Sequence, residues 1–157
     1  MDGYQEFLAS KAPKPRAVGF EPRHMHSAMR ADQKAATAFA IRHGRAGLFL
    51  DTGMGKTFNE LEWCKQCAEE SNGYALLLTP LAVARQIERE ANRWGYHARV
   101  IESQDEAVPG INICNYDRLD GLNPSAFGAV ALDESSILKS FSGATSRALI
   151  ATFADHR

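Results

Sequence analysis

The residue types that could carry out chemistry lie first in residues 48–57, where two glycines precede a lysine and a threonine. Gly53 and Gly55 let the backbone approach an anion and turn its N–H groups toward phosphate oxygens. A helix starting near Lys56 would add the positive end of its dipole. Lys56 would reach the β- and γ-phosphates of a nucleotide, and the Thr57 hydroxyl would bind Mg²⁺. We therefore predict that MgATP is held by Thr52, Gly53, Met54, Gly55, Lys56 and Thr57.

One position departs from the full phosphate-loop pattern G-x-x-x-x-G-K-[ST]. The first glycine of that pattern is replaced here by Leu50, whereas the shorter G-x-G-K-T remains intact. A chance glycine turn before a helix is the alternative. The succession of apolar run, loop and helical pattern favours phosphate binding.

A second acidic motif follows the apolar run at 129–132, where Asp133 and Glu134 are adjacent. In a nucleotide site, Asp133 would hold Mg²⁺ and Glu134 would orient and deprotonate the attacking water. A strand that ends in a solvated acidic turn is the alternative. Parallel strands place their carboxyl ends at one edge of the sheet, so both motifs should meet there. We predict Glu134 and Lys56 as catalytic, and Thr57 and Asp133 as Mg²⁺ ligands.

Composition excludes several classes of protein. The 157 residues are 45% hydrophobic and 24% charged, with a formal charge of −1, which argues against a disordered chain or a coiled coil. No apolar run approaches the length of a membrane span, and the N-terminus does not resemble a secretory signal. The three cysteines, Cys64, Cys67 and Cys114, favour a reduced, cytoplasmic setting. We interpret Cys64 and Cys67 as buried apolar side chains rather than metal ligands.

The elements that must position these motifs alternate between strand-like and helix-like patterns. Residues 1–30 are predicted to be an N-terminal arm, and residues 31–157 an α/β domain with a mostly parallel sheet and helices on both faces. We predict helices over 31–43, 56–70, 81–94 and 144–153, and strands over 46–51, 74–79, 98–101, 111–116 and 129–134.

These motifs, in this order, resemble the first RecA-like domain of SNF2-like superfamily 2 helicases, the DEAD/DEAH-type P-loop NTPases found in phages and bacteria. The resemblance covers roughly residues 20–157. It rests on five segments: MRADQ at 29–33, DTGMGKT at 51–57, LTPLAV at 78–83 with QIERE at 86–90, NICNY at 112–116 and LDESSILK at 132–139.

The resemblance implies a DNA-dependent ATPase that moves along duplex DNA without sequence preference, with ATP and Mg²⁺ as cofactors. It implies that Gln33 contacts adenine and that Thr79, Pro80 and Arg85 lie near a DNA backbone, where a hydroxyl, N–H groups and a guanidinium suit phosphate contacts. Ordinary surface or strand-end positions are the alternatives for these residues.

The resemblance also implies a further strand, after a helix over 144–153, that inserts between the phosphate-loop strand and the acidic-motif strand. We expect this chain to stop before that strand and before a second RecA-like domain carrying arginine fingers, so that the sheet is incomplete and the fragment nearly inactive. A compact P-loop kinase and a non-catalytic nucleotide-binding fragment remain as alternatives.

Overall fold

A four-stranded parallel sheet is the framework of the part of the chain that the structure, a computed structural model, describes: residues 18–51 and 53–134. Its strands lie in the order β2-β3-β1-β4. Leu77 in β1 stands opposite Ile113 in β3 and Ala131 in β4. The strands are β1 (Tyr74–Thr79), β2 (Ala98–Val100), β3 (Gly110–Asn115) and β4 (Ala129–Leu132). The prediction of an α/β fold with a parallel sheet is confirmed.

Three helices accompany the sheet within the described residues. Each begins where the sequence pattern predicts it: α1 (Ala31–His43), α2 (Lys56–Glu70) and α3 (Leu81–Arg93). Gly44 ends α1 at φ 72°, a backbone conformation that glycine adopts without a Cβ penalty. The predicted helix over 144–153 and the segment 135–139 lie outside the described residues, as does Thr52.

The two faces of the sheet are covered differently. On one face, Leu77 and Ile113 pack with Leu61 of α2 and Ile87 of α3 in one buried cluster. On the other face, Leu76 and Leu78 belong to a second cluster with Cys114, Tyr116 and Phe127, next to the short 3₁₀ turns Tyr116–Gly121 and Pro124–Ala126. Over the described residues, the α-helices therefore cover one face; the helix predicted over 144–153 lies outside them, so helices on both faces stay a prediction.

The predicted strand over 46–51 is wrong. These residues form neither strand nor helix, and the Phe49 side chain is 95% exposed. A cavity separates residues 44–49 from β4, so no described strand lies beside them. An apolar run becomes a strand only where another strand offers hydrogen-bond partners.

The described part of the N-terminal arm, residues 18–30, lacks regular structure but packs closely against the domain. The Phe20 N–H donates to the Ile41 carbonyl at 3.2 Å, and the Arg23 N–H donates to Gln66 Oε1 at 2.8 Å. Met29 is buried. Residues 1–17 lie outside the described residues. Nowhere in 18–51 or 53–134 is there a helix long and apolar enough to span a bilayer.

Candidate nucleotide-binding site

The loop before α2 adopts the backbone shape that a phosphate cradle requires. Gly53 and Gly55 have φ angles of 84° and 77°, which side-chain-bearing residues rarely adopt. The Gly55 carbonyl accepts the Phe58 N–H at 3.1 Å and so begins the helix. Lys56 is the first residue of α2, and it is exposed. The loop thus presents a cation and the N–H groups of a 15-residue helix at one point.

Two side chains from the start of α1 hold this loop in place. The Met54 carbonyl accepts from Arg30 Nη2 at 3.1 Å and from Gln33 Nε2 at 3.3 Å. The other amide atom, Gln33 Oε1, accepts the Arg30 N–H at 3.0 Å. A Cβ atom on Gly55 would collide with Gln33 Nε2. The structure therefore places Gln33 beside the loop, with both polar atoms of its side chain already bonded.

Asp133 of the acidic motif directly follows β4 and is held by hydrogen bonds with residues at or just after the ends of β1 and β3. The Asp133 N–H donates to the Leu78 carbonyl at 2.8 Å, which continues the pairing of β4 with β1. The Thr79 hydroxyl donates to Asp133 Oδ2 at 3.2 Å, and the Tyr116 hydroxyl donates to the Asp133 carbonyl at 2.6 Å. Backbone and carboxylate of Asp133 are thus both oriented by neighbouring strands.

The charge of Lys56, at the end of the glycine loop, acts on the carboxyl of Asp133 in the acidic motif. Burial raises the pKa of Asp133 above its ordinary value, and the nearby Glu134 carboxylate raises it further. The hydrogen bond from Thr79 and the positive charge of Lys56 act in the opposite direction. Lys56 therefore lies close enough to Asp133 for its charge to lower the pKa of that carboxyl.

Glu60 is an acidic residue of this region that the sequence reasoning missed. Burial and repulsion from Asp133 raise the pKa of its carboxyl to about 8, while Lys56 acts in the opposite direction. Its Oε2 atom is buried without a hydrogen-bond partner among the described residues. The available signal was its spacing, because a residue four positions after Lys56 lies on the same side of the helix.

Glu134 occupies an exposed turn directly after Asp133. It is the one non-glycine residue of the described ranges with a positive φ, at 51°. Such a conformation is uncommon for glutamate and is often found where a side chain is held for a function. Its position suits a carboxylate that acts on water at the edge of the site.

The three residues predicted near DNA do not share one environment. Thr79 is fully buried, with its hydroxyl committed to Asp133. Pro80 directly precedes α3 as its N-terminal cap residue. Arg85 lies on the exposed side of α3 and pairs with Glu88 at 3.0 Å. Of the three, Arg85 offers an accessible side-chain donor.

The oxygen atoms needed for Mg²⁺ are limited but suitable. Within the described ranges, no group of three or more His, Cys, Asp or Glu side chains could hold a metal ion by itself. Mg²⁺ in nucleotide sites usually takes only one or two protein ligands and completes its shell with phosphate and water. The Asp133 carboxylate, held by Thr79, could supply one such ligand, and Thr57 in the first turn of α2 is the residue expected to supply the other.

The cysteines have the predicted character. Cys64, Cys67 and Cys114 are buried and unbridged. Burial raises the pKa of the Cys64 thiol.

No protein-family model matches the chain, and no curated protein matches it.

Proposed function

We propose that this chain is the RecA-like ATP-binding domain of a DNA-dependent ATPase of the SNF2-like superfamily 2 helicase type, acting in the cytoplasm. The observation that carries the proposal is the loop with positive φ at Gly53 and Gly55, which leads into α2 at Lys56, whose charge lowers the pKa of the Asp133 carboxyl held by Thr79. Parallel α/β sheets bind ligands at the carboxyl edge, where Asp133 follows β4.

Each residue has a defined task in this proposal. The loop N–H groups and Lys56 bind the phosphates of ATP, while Gln33 fixes the loop from behind through Met54. Thr57 and Asp133 would hold Mg²⁺, which neutralises phosphate charge when bound. Glu134 takes the proton of the water that attacks the γ-phosphate.

Nucleotide binding is the first test. We expect the wild-type chain to bind a fluorescent ATP analogue in the presence of Mg²⁺, and Lys56→Ala to weaken binding about 10- to 100-fold by removing charged hydrogen bonds. Arg99→Ala is the matched control, because it removes an exposed cation from the distant strand β2. Equal affinity for wild type and Lys56→Ala would refute a phosphate loop.

Hydrolysis distinguishes the proposal from the alternatives. We expect turnover by the 157-residue chain to lie far below the roughly 1–100 s⁻¹ of working phosphoryl-transfer enzymes, since the described residues contain no second domain that could add an arginine. Transfer of phosphate to a small acceptor would instead support a kinase. Binding without any turnover, even with a supplied second domain, would support a non-catalytic module.

The DNA partner is tested through Arg85. Duplex DNA should bind with an affinity that falls as salt rises, and Arg85→Ala should weaken binding on all sequences alike. Arg42→Ala on α1 is the control, because its exposed guanidinium pairs with Glu21 on another part of the surface. Loss of affinity in both variants to the same extent would indicate general charge attraction only.

A further inference from the structure

The outward side of α3 carries three arginines, which we call the arginine stripe. Arg85, Arg89 and Arg93 are all exposed, and they recur every fourth residue, which places them on one side of the helix. At about 1.5 Å of rise per residue, they extend over about 12 Å along the helix axis. The opposite side of α3 is apolar, with Ile87 and Ala91 buried in the core cluster.

The negative charges of α3 lie beside the arginine stripe and are already engaged. Glu88 is half-buried: its Oε1 accepts the Val100 N–H at 2.8 Å, and its Oε2 pairs with Arg85 at 3.0 Å. Glu90 is also half-buried and accepts from Gln86 Nε2 at 3.0 Å. Of the three arginines, only Arg85 is therefore paired with a carboxylate of the helix.

The other two arginines keep their charge uncompensated. Within the part of the chain that the structure describes, neither Arg89 nor Arg93 has a carboxylate partner. The Arg93 guanidinium carbon lies 5.7 Å from the centre of the Trp94 ring, a contact that orients the group and leaves its charge in place. Like charges four residues apart repel one another and weaken a helix. A negatively charged partner along this side of α3 would relieve that repulsion.

The chemistry of the arginine stripe fits the phosphates of a nucleic acid. A guanidinium group donates paired hydrogen bonds to phosphate oxygens, and its charge persists at every physiological pH. Each strand of a duplex carries one phosphate for about every 3.4 Å of its axis, so the stripe matches about three or four of them. A membrane surface is a poorer match, because the apolar side of α3 is buried in the core and cannot enter a bilayer.

We propose that the arginine stripe is a docking track for the phosphate backbone of duplex DNA, and that it leads away from the carboxyl edge of the sheet. The helix starts directly after β1 and therefore begins at that edge and returns toward the opposite one. Arg85 lies nearer the carboxyl edge, and Arg93 lies at the far end. The inference rests on the proposed function and deepens it, because it assigns Arg89 and Arg93 to the DNA partner.

The experiment measures how the affinity for DNA depends on salt. The 157-residue chain is titrated into a short dye-labelled duplex of mixed sequence, and fluorescence anisotropy is read at about 50 to 200 mM salt. A variant with Arg89→Gln and Arg93→Gln together should bind about 10- to 100-fold more weakly, and its plot of log affinity against log salt should be shallower by about two. Arg89→Lys with Arg93→Lys should keep the wild-type slope, because both charges remain.

The matched control removes two arginines elsewhere on the surface. Arg42→Gln with Arg118→Gln changes the net charge by the same amount, on α1 and on the turn Tyr116–Gly121. Both guanidinium groups are exposed and pair with a glutamate of another segment. We expect this double variant to keep the salt slope of the wild-type chain. Urea unfolding of all variants shows that each is folded.

Four results would overturn the proposal. Equal salt slopes for wild type and the Arg89 and Arg93 glutamine variant, with DNA still bound, would exclude the track and leave the proposed function standing. Equal losses in this variant and in the control would show general charge attraction only. Tighter binding of a polyglutamate peptide than of the duplex would indicate an acidic protein as the partner. Absence of duplex binding by wild type would remove both the track and the DNA partner, whereas titration with the ATP analogue tests the nucleotide site separately.

Discussion

At the scale of single residues, Glu60 is the group whose protonation changes most clearly on folding. Its pKa is about 8 in the folded chain, against an ordinary value of 4.5. Between these two values the folded state keeps a proton that the unfolded state loses. The free energy of unfolding contributed by this group therefore falls as pH rises through that window.

Glu60→Gln removes this dependence while keeping the size of the side chain. We expect the variant to match wild type near pH 4.5 and to be more stable than wild type by about 4 kcal/mol near pH 8. Urea unfolding at both pH values measures the difference. A stability difference that does not vary with pH would contradict the assigned pKa. Asp133 repels the Glu60 carboxylate, so the measured difference also contains the change in the titration of Asp133 when Glu60 is replaced.

A second buried acidic side chain, Glu62, is held by hydrogen bonds from its neighbours. It is fully buried and accepts from the Tyr96 hydroxyl at 2.6 Å and from Gln66 Nε2 at 2.7 Å. Tyr96→Phe should reduce the free energy of unfolding by about 1–3 kcal/mol, because it leaves one carboxylate oxygen without its donor. Thermal or urea unfolding would measure this loss. Tyr74→Phe, which removes a hydroxyl at a half-buried position beside the other cluster, should cost less.

The burial of these two glutamates could not be recognised from the sequence. Both lie in KTFNELEWCKQCAEE, where acidic residues ordinarily mark the solvent side of a helix. Their burial depends on contacts with β4 and with Tyr96, which are far away in the chain. By contrast, the position of Asp133 at the carboxyl edge of the sheet was predictable, because it directly follows the apolar run that forms β4.

At the scale of elements, the turn into α2 depends on one glycine for two reasons. Gly55 has φ 77°, and a Cβ atom there would strike the Gln33 amide. Gly55→Ala should therefore cost about 2–4 kcal/mol of stability and displace the loop, with loss of nucleotide affinity.

Gly53→Ala is the matched comparison for Gly55→Ala. Gly53 has a similar φ of 84°, but a Cβ atom there would meet nothing within 4 Å. It should show only the cost of the strained backbone, about 1–2 kcal/mol. Unfolding and nucleotide titration of the two variants distinguish the cost of the strained backbone from the cost of the collision with Gln33. Equal losses would mean that the Gln33 contact is unimportant.

Helices and strands could be predicted from the sequence where the local residue pattern and the neighbours in the fold favour the same structure. The helix Lys56–Glu70 and the strand Tyr74–Thr79 begin and end at the predicted residues. Residues 46–51 have an equally apolar composition but form no strand, because pairing is decided by what lies beside them. The sequence pattern carries no information about that neighbour.

At the scale of the whole molecule, stability should be concentrated in β1. Its residue Leu77 is fully buried between β3 and β4 and beneath α2. Leu77→Ala should lower the free energy of unfolding by about 2–5 kcal/mol. Leu81→Ala, whose side chain is 68% exposed, should change it by less than about 0.5 kcal/mol. Denaturant unfolding of both variants measures this contrast, and similar losses would place the core elsewhere.

The strand order also has a consequence for how the protein is made. The contact between Thr79 and Asp133 joins residues 54 positions apart, so β1 is synthesised long before β4 can cover its edge. At about 5–20 residues per second, the ribosome needs on the order of 3–10 s to cover that distance. Throughout this interval Leu76, Leu77 and Leu78 leave the ribosome without their final partner strand. The nascent chain is thus an expected client of chaperones that shield apolar segments during translation.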